Sequence, residues 1–189
     1  MSEFQDTIGA SVKALESLRG MESEFDRAVE LLSRCVREGG KVLVCGNGGS
    51  AADAAHFATE LLCRFEKERD SLPGIALTMD GSFLTATGND YGFDRVFSRQ
   101  IEGLGKAGDV LVGISTSGNS PNVLLAFEEA KRRGLRTLAM LGREGGKAAG
   151  VADVELIVKV GSTARIQEAQ KVLIHALCAG MEGALFGDL

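Results

Sequence analysis

The feature that most constrains this chain is a repeating alternation. Five short apolar runs, "KVLVC" (41–45), "GIALTM" (74–79), "DVLVGI" (109–114), "LRTLAML" (135–141) and "VELIVKV" (154–160), are separated by stretches of helical composition. The runs are rich in Val, Ile and Leu, and most lack strict polar–apolar alternation. They therefore read as strands of a parallel sheet covered on both faces. Between them, "SAADAAHFATELLCRF" (50–65), "FDRVFSRQIEGL" (93–104) and "SPNVLLAFEEAKRR" (120–133) read as helices, and 163–186 reads as one long final helix. Such alternation closes through right-handed crossovers into an α/β fold. Two more helical stretches, about 3–18 and 22–38 with a break near Gly20, precede the first strand. No linker or low-complexity tract divides the chain. We expect a single domain over 1–189, three layers around a mostly parallel five-stranded sheet, with 1–38 an N-terminal helical part that packs against other copies.

Charge and composition narrow the partners. A net charge of -5 argues against general nucleic-acid binding. The one basic cluster, "KRRGLR" (131–136), reads as a helix C-terminus favoured by cations and closed by Gly134. No apolar run is long enough to span a bilayer, and "MSEFQDTIGASVKALESL" has early acids and no apolar block of a secretory signal. Four scattered cysteines with no CxxC pair suit reduced core thiols. The expectation is a cytoplasmic protein with neither nucleic acid nor membrane as partner.

Two segments echo each other: "VLVCGNGGSAA" (42–52) and "VLVGISTSGNSP" (110–121) both run from strand to small-residue loop to helix start. In open α/β sheets, ligands bind at such strand C-termini. In the second loop, Ser120 suits an N-cap and Pro121 the first helical position. That leaves Ser115, Thr116, Ser117 and Gly118 without a structural task. Hydroxyls and free N–H groups at a helix start make a cradle for a phosphate. With no basic residue in the loop and no GxxxxGK[ST], neutral donors holding a phosphate monoester fit better than a nucleotide P-loop. In the first loop, Gly46, Gly48 and Ala51 only loosely match the dinucleotide fingerprint, because the next acid after a strand, Asp80, comes too late. Its glycines instead let backbone N–H groups approach a ligand, with the Asn47 amide beside them. "TGNDYGF" (87–93) reads as a turn-rich loop, in which Asn89 and Asp90 either satisfy turn geometry or bond sugar hydroxyls.

Asp53, His56 and Glu60 share one helix face. Alone, they read as a solvated face. Yet their helix starts at the glycine loop, and the chain's other histidine, His175, sits in an otherwise apolar helical stretch, "RIQEAQKVLIHALC" (165–178). His56 and Glu60, at i and i+4, can present a nitrogen and a carboxylate to one zinc ion, or serve as a base and its orienting partner. His175 and Gln167 are the candidates to complete a metal site, although eight residues separate them, a rise of roughly 12 Å.

The segments "CGNGGSAADAAHFATEL", "GNDYGF", "GDVLVGISTSGNSPNV" and "ARIQEAQKVLIH" together resemble the sugar isomerase (SIS) family, and within it the phosphoheptose isomerases. The resemblance runs from about Lys41 to His175. It implies an SIS fold and aldose–ketose isomerisation of a phosphorylated seven-carbon sugar, sedoheptulose 7-phosphate to a glycero-manno-heptose 7-phosphate, early in nucleotide-activated heptose synthesis. It further implies that Ser115, Thr116, Ser117 and Ser120 hold the phosphate, and that Asn47, Gly48, Gly49, Asn89, Asp90 and Gln167 contact the sugar. Glu60 would move the proton between C1 and C2, with His175 as partner acid or base. One zinc per subunit on His56, Glu60, Gln167 and His175 is implied, as is a homotetramer with sites at subunit interfaces. Two positions depart from the pattern: Ala164 where some members carry aspartate, and Gln170 where many carry a further histidine. A close SIS relative instead grips a replication initiator, and a phosphosugar-sensing regulator is a third reading. Glu60 and His175 would be surplus to both.

Overall fold

The computed structural model describes residues 2–187; Met1, Asp188 and Leu189, counted in the expected domain, lie outside the described residues. Five strands, β1 (Val42–Gly46), β2 (Gly74–Ala76), β3 (Val110–Ser115), β4 (Arg136–Gly142) and β5 (Val154–Val158), form one sheet in the order β2-β1-β3-β4-β5. Every neighbouring pair is parallel.

The uniformly apolar strands are explained by what covers them. Alternate residues serve opposite faces: Val42, Val44, Val110, Val112, Leu138 and Met140 join one buried cluster, while Leu43, Cys45, Leu111, Ala139 and Leu141 join the other. Helices α2 (Glu22–Arg37), α3 (Gly49–Leu62) and α7 (Thr163–Phe186) close the first face. Helices α5 (Ser98–Leu104) and α6 (Pro121–Arg132) close the second. Full burial of each large apolar side chain, such as Phe57 or Phe127, contributes about 1.5–3 kcal/mol. The expected three layers are present, and the sheet is wholly parallel.

Three local expectations change. The segment 87–93 is not a loop through its first part: Gly81–Tyr91 forms α4, whose N-cap Asp80 accepts a hydrogen bond from the Phe83 N–H at 2.9 Å. Polar turn formers mask this helix in the sequence, and the cap together with Gly92 at φ 87° sets its ends. The run 74–79 supplies only three strand residues, because β2 is an edge strand and pairs with β1 alone. The stretch 93–104 divides into a 3-10 turn at Phe93–Arg95 and α5. At the N-terminus, α1 (Glu3–Glu16) continues into a 3-10 turn, Ser17–Met21, and the helical backbone is interrupted at Met21, at φ -116° and ψ 24°, before α2 begins. The basic cluster closes α6 as expected, with Gly134 at φ 76°.

The strand order fixes where a ligand belongs. From β1 the chain turns one way to β2 and the other way to β3, so the crevice beyond the C-terminal ends of β1 and β3 is the switch point of the sheet. Both small-residue loops emerge there.

Candidate active site

The loop from β3 to α6 is shaped by its own hydroxyls. Ser115 Oγ lies 3.1 Å from Ser120 Oγ and accepts the Gly118 N–H at 3.1 Å. Ser117 Oγ accepts the Asn119 N–H at 3.2 Å. Gly118 adopts φ 64°, and a Cβ there would strike the Gly145 carbonyl. The loop after β4 braces it: the Ala148 N–H donates to the Gly118 carbonyl at 3.0 Å, and the Lys147 N–H donates to Asn119 Oδ1 at 3.0 Å. Ser120 has the extended backbone of an N-cap, yet its side chain makes no capping bond. The positive end of α6 thus faces the loop uncapped by its own serine, as an anion site requires.

Across the crevice, Gly46 ends β1 and Gly49 begins α3 with no side-chain cap. Asn47, between them, exchanges two hydrogen bonds of 2.8 Å with the buried amide of Asn122, the second residue of α6.

Helices α3 and α7 lie side by side in parallel, and their facing residues form a ladder. At its first rung the Gln167 amide covers Gly49, leaving no room for a Cβ there. One turn on, Lys171 Nζ meets Asp53 Oδ1 at 2.7 Å. At the next rung His175 Nε2 is 3.1 Å from His56 Nε2, and His56 Nε2 is 3.0 Å from Glu60 Oε1. Phe65 also packs against the His175 ring, with centroids 5.5 Å apart. At the far end Glu182 accepts N–H bonds from Phe65, Glu66 and Lys67 and pairs with Arg69 at 2.8 Å. Arg69 also donates to the carbonyls of Glu60 and Leu61, closing the C-terminus of α3.

His56 stands between Glu60 and His175, which do not meet directly. One ring nitrogen carries at most one proton, so His56 Nε2 cannot donate to both neighbours. Burial, then the nearby Lys171 ammonium, holds the His56 pKa below its ordinary value, so the neutral ring is favoured. Two imidazole nitrogens and a carboxylate oxygen thus converge with too few protons to satisfy them, a donor set that suits zinc. The three lie in a row: among the described residues no group of three or more His, Cys, Asp or Glu is already disposed around one metal position. Gln167, at the Gly49 end of the ladder, is separated from His56 by seven residues of α3, about 10 Å of rise.

Asn89 and Asp90 are on the last turn of α4, exposed and bonded to each other at 2.8 Å. No hydrogen bond joins them to the two loops or the ladder among the described residues. Gln170 faces inward: it is fully buried and donates to the Met140 carbonyl at 3.0 Å, so this position ties α7 to the sheet. Ala164 is exposed at the start of α7. Three groups escaped the sequence reading: Asn122, Lys171, and the Arg69–Glu182 pair. Lys171 carried a signal, four residues from both Gln167 and His175; the others are recognisable only from their partners.

An open parallel sheet with a hydroxyl-lined loop at its switch point fits an SIS-domain protein, and the SIS domain family model matches residues 3–142. The chain belongs to the phosphoheptose isomerase family. It is 51% identical over 187 residues to the phosphoheptose isomerase of Geobacter sp. (strain M21), covering 98% of this chain and 97% of that one. The structure of phosphoheptose isomerase from Neisseria gonorrhoeae superposes with a TM-score of 0.88 at 47% identity, covering 95% of this chain and 99% of that one. The structure of a phosphoheptose isomerase from Francisella tularensis superposes with a TM-score of 0.92 at 38% identity, covering 96% and 98%.

Proposed function

We propose that this chain interconverts sedoheptulose 7-phosphate and D-glycero-D-manno-heptose 7-phosphate, an aldose–ketose isomerisation through an enediol, supplying an early step of nucleotide-activated heptose synthesis. The observation that carries the reading is the row Glu60–His56–His175 on the ladder that begins at the glycine loop, beside the anion loop. Family membership supplies the substrate class.

The hydroxyl loop and the row support a division of labour between phosphate binding and proton transfer. The phosphate sits at the start of α6 on Ser115, Thr116, Ser117 and Ser120, which fixes the sugar's far end. Asn47, Gly48 and Gly49, with Gln167 over them, face the sugar chain. The Glu60 carboxylate takes a proton from C1 of the ketose, and His175 gives a proton to O2 as the C2 carbonyl becomes a hydroxyl of the enediol. His175 then accepts the O1 proton as the C1 carbonyl forms, and Glu60, its proton exchanged with solvent at the enediol stage, delivers a proton to C2. One C–H bond breaks and one forms, with no net redox change.

His56, Glu60 and His175 are the residues that would hold zinc, one ion per subunit. Bound there, the ion would polarise the sugar oxygens as a Lewis acid. Elemental analysis before and after chelation tests the metal. Activity that survives complete zinc removal would leave acid–base chemistry alone.

Homotetramer assembly completes the reading. Phe4, Ile8 and Val12 form an exposed apolar row along α1, and another copy would cover it. Asn89 and Asp90, which make no hydrogen bond to the two loops within one chain among the described residues, would serve a neighbour's site. Among the described residues no helix is long and apolar enough to cross a membrane, and a cytoplasmic setting accords with the four free thiols, of which Cys45 and Cys178 are pushed by burial to about 12.

Incubation with sedoheptulose 7-phosphate in deuterated water tests the whole. The expected result is an aldose product labelled at C2. An unlabelled, unchanged ketose would overturn the reading.

A further inference from the structure

The amides of Asn47 and Asn122 close a ring across the switch point of the sheet. Asn47 Nδ2 donates to Asn122 Oδ1, and Asn122 Nδ2 donates to Asn47 Oδ1, both at 2.8 Å. The two residues come from different loops, 75 positions apart. Asn47 follows β1; Asn122 follows Ser120 and Pro121 at the start of α6. The strands beneath are paired in register, with Gly46 opposite Ile114.

A primary amide has two N–H donors and an oxygen with two lone pairs. The ring uses one donor and one lone pair of each partner. Asn122 is only 2% exposed, so its amide has no solvent to turn to, whereas Asn47 is half-buried at the ligand edge. Turning either amide over would place N–H against N–H and oxygen against oxygen. The ring therefore ties the Asn47 amide to the buried Asn122 amide, so that neither turns over without the other.

We propose that Asn122 is a positioning residue: it holds the Asn47 amide in a single orientation toward the sugar while leaving the anion loop, shaped by its own serines, independent of it. This rests on the isomerase reading above. Asn122→Asp is the sharpest probe, since it keeps size and shape. It preserves the bond donated by Asn47 Nδ2 but sets a carboxylate oxygen against Asn47 Oδ1.

Two readouts separate the proposal from a purely structural role. The first is kinetic. Asn122→Asp and Asn122→Ala are expected to lower kcat/KM by about tenfold to a hundredfold, the scale of a buried polar group left without its partner. The inhibition constant of inorganic phosphate should stay within about twofold, because the anion loop is untouched. In a double-mutant cycle, Asn122→Ala should add little to Asn47→Ala, since the orienting group has nothing left to orient. Losses that multiply in the double variant, or phosphate inhibition that weakens in step with kcat/KM, would overturn the proposal. The second readout does not need turnover. In the wild-type protein one Asn47 side-chain amide proton should exchange slowly with solvent by NMR, and Asn122→Ala should abolish that protection while thermal melting shows a folded chain. Fast exchange in the wild type would overturn the clasp directly. Absence of isomerisation by the wild type with protection intact would instead count against the isomerase reading.

Discussion

The anion loop and the Glu60–His56–His175 row are built over different distances. The loop's central contact, Ser115 to Ser120, spans five positions of sequence, and its other hydroxyl bonds are equally local. The row's central contact, His175 to His56, spans 119. A site made by one segment keeps its shape whenever that segment is anchored. A site made by two helices keeps its shape only while their register holds. In this chain that register is set by Asp53–Lys171 before the row and by Arg69–Glu182 beyond it. The phosphate grip and the proton-transfer machinery should accordingly fail separately.

The strongest test of that separation lies outside the site. The Arg69 and Glu182 side chains are 1% and 2% exposed. Removing one partner strands a buried charge, and Glu182→Leu should cost about 3–5 kcal/mol of stability. In the variant that remains folded at low temperature, turnover should fall while inhibition by inorganic phosphate persists; equal loss of both would show that the two regions are not independent. Next in size is Glu60→Gln. It should reduce turnover by about 10² or more while phosphosugar binding remains measurable, since it removes the proton acceptor and leaves the hydroxyl loop untouched. Near-normal turnover would remove Glu60 from its role. From the other side of the comparison, Ser117→Ala with Ser120→Ala should raise KM by about tenfold or more and leave kcat nearly unchanged, because phosphate contacts act in ground and transition states alike. A fall in kcat with constant KM would refute the division.

The smallest effect is on pH. Burial pushes the Glu182 pKa up, but the N–H groups of Lys67, Phe65 and Glu66 and the Arg69 guanidinium outweigh it, and the net value lies below the ordinary 4.5. As pH falls through 4.5 the unfolded chain takes up a proton that the folded chain still refuses, so stability declines until the lower folded value is passed. Glu182→Gln should flatten this acid limb of the melting temperature. Parallel limbs in wild type and variant would show that other carboxylates govern it.

Legibility in the sequence follows the same divide. The apolar runs announced the strands, because residues buried on both faces admit almost nothing polar. The hydroxyl loop was readable because every part of it is consecutive. His56 and Glu60 could be paired from helical spacing alone. Asn89 and Asp90 were misplaced in a loop because turn-forming residues also populate a helix whose cap, Asp80, lies well upstream. Gln167 and His175 were paired as candidates from their placement on one helix, and their eight-residue spacing sets them at different rungs of the ladder.

The sequence by itself determined the layered α/β architecture, the parallel sheet and the hydroxyl loop, because each depends on local pattern: burial periodicity, caps and consecutive donors. The tertiary structure alone decided that His175 meets His56, that Asn122 faces Asn47, and that a buried Arg69–Glu182 pair locks the helix ends. Those contacts join residues tens to more than a hundred positions apart, and no periodicity in the chain encodes the packing that brings them together.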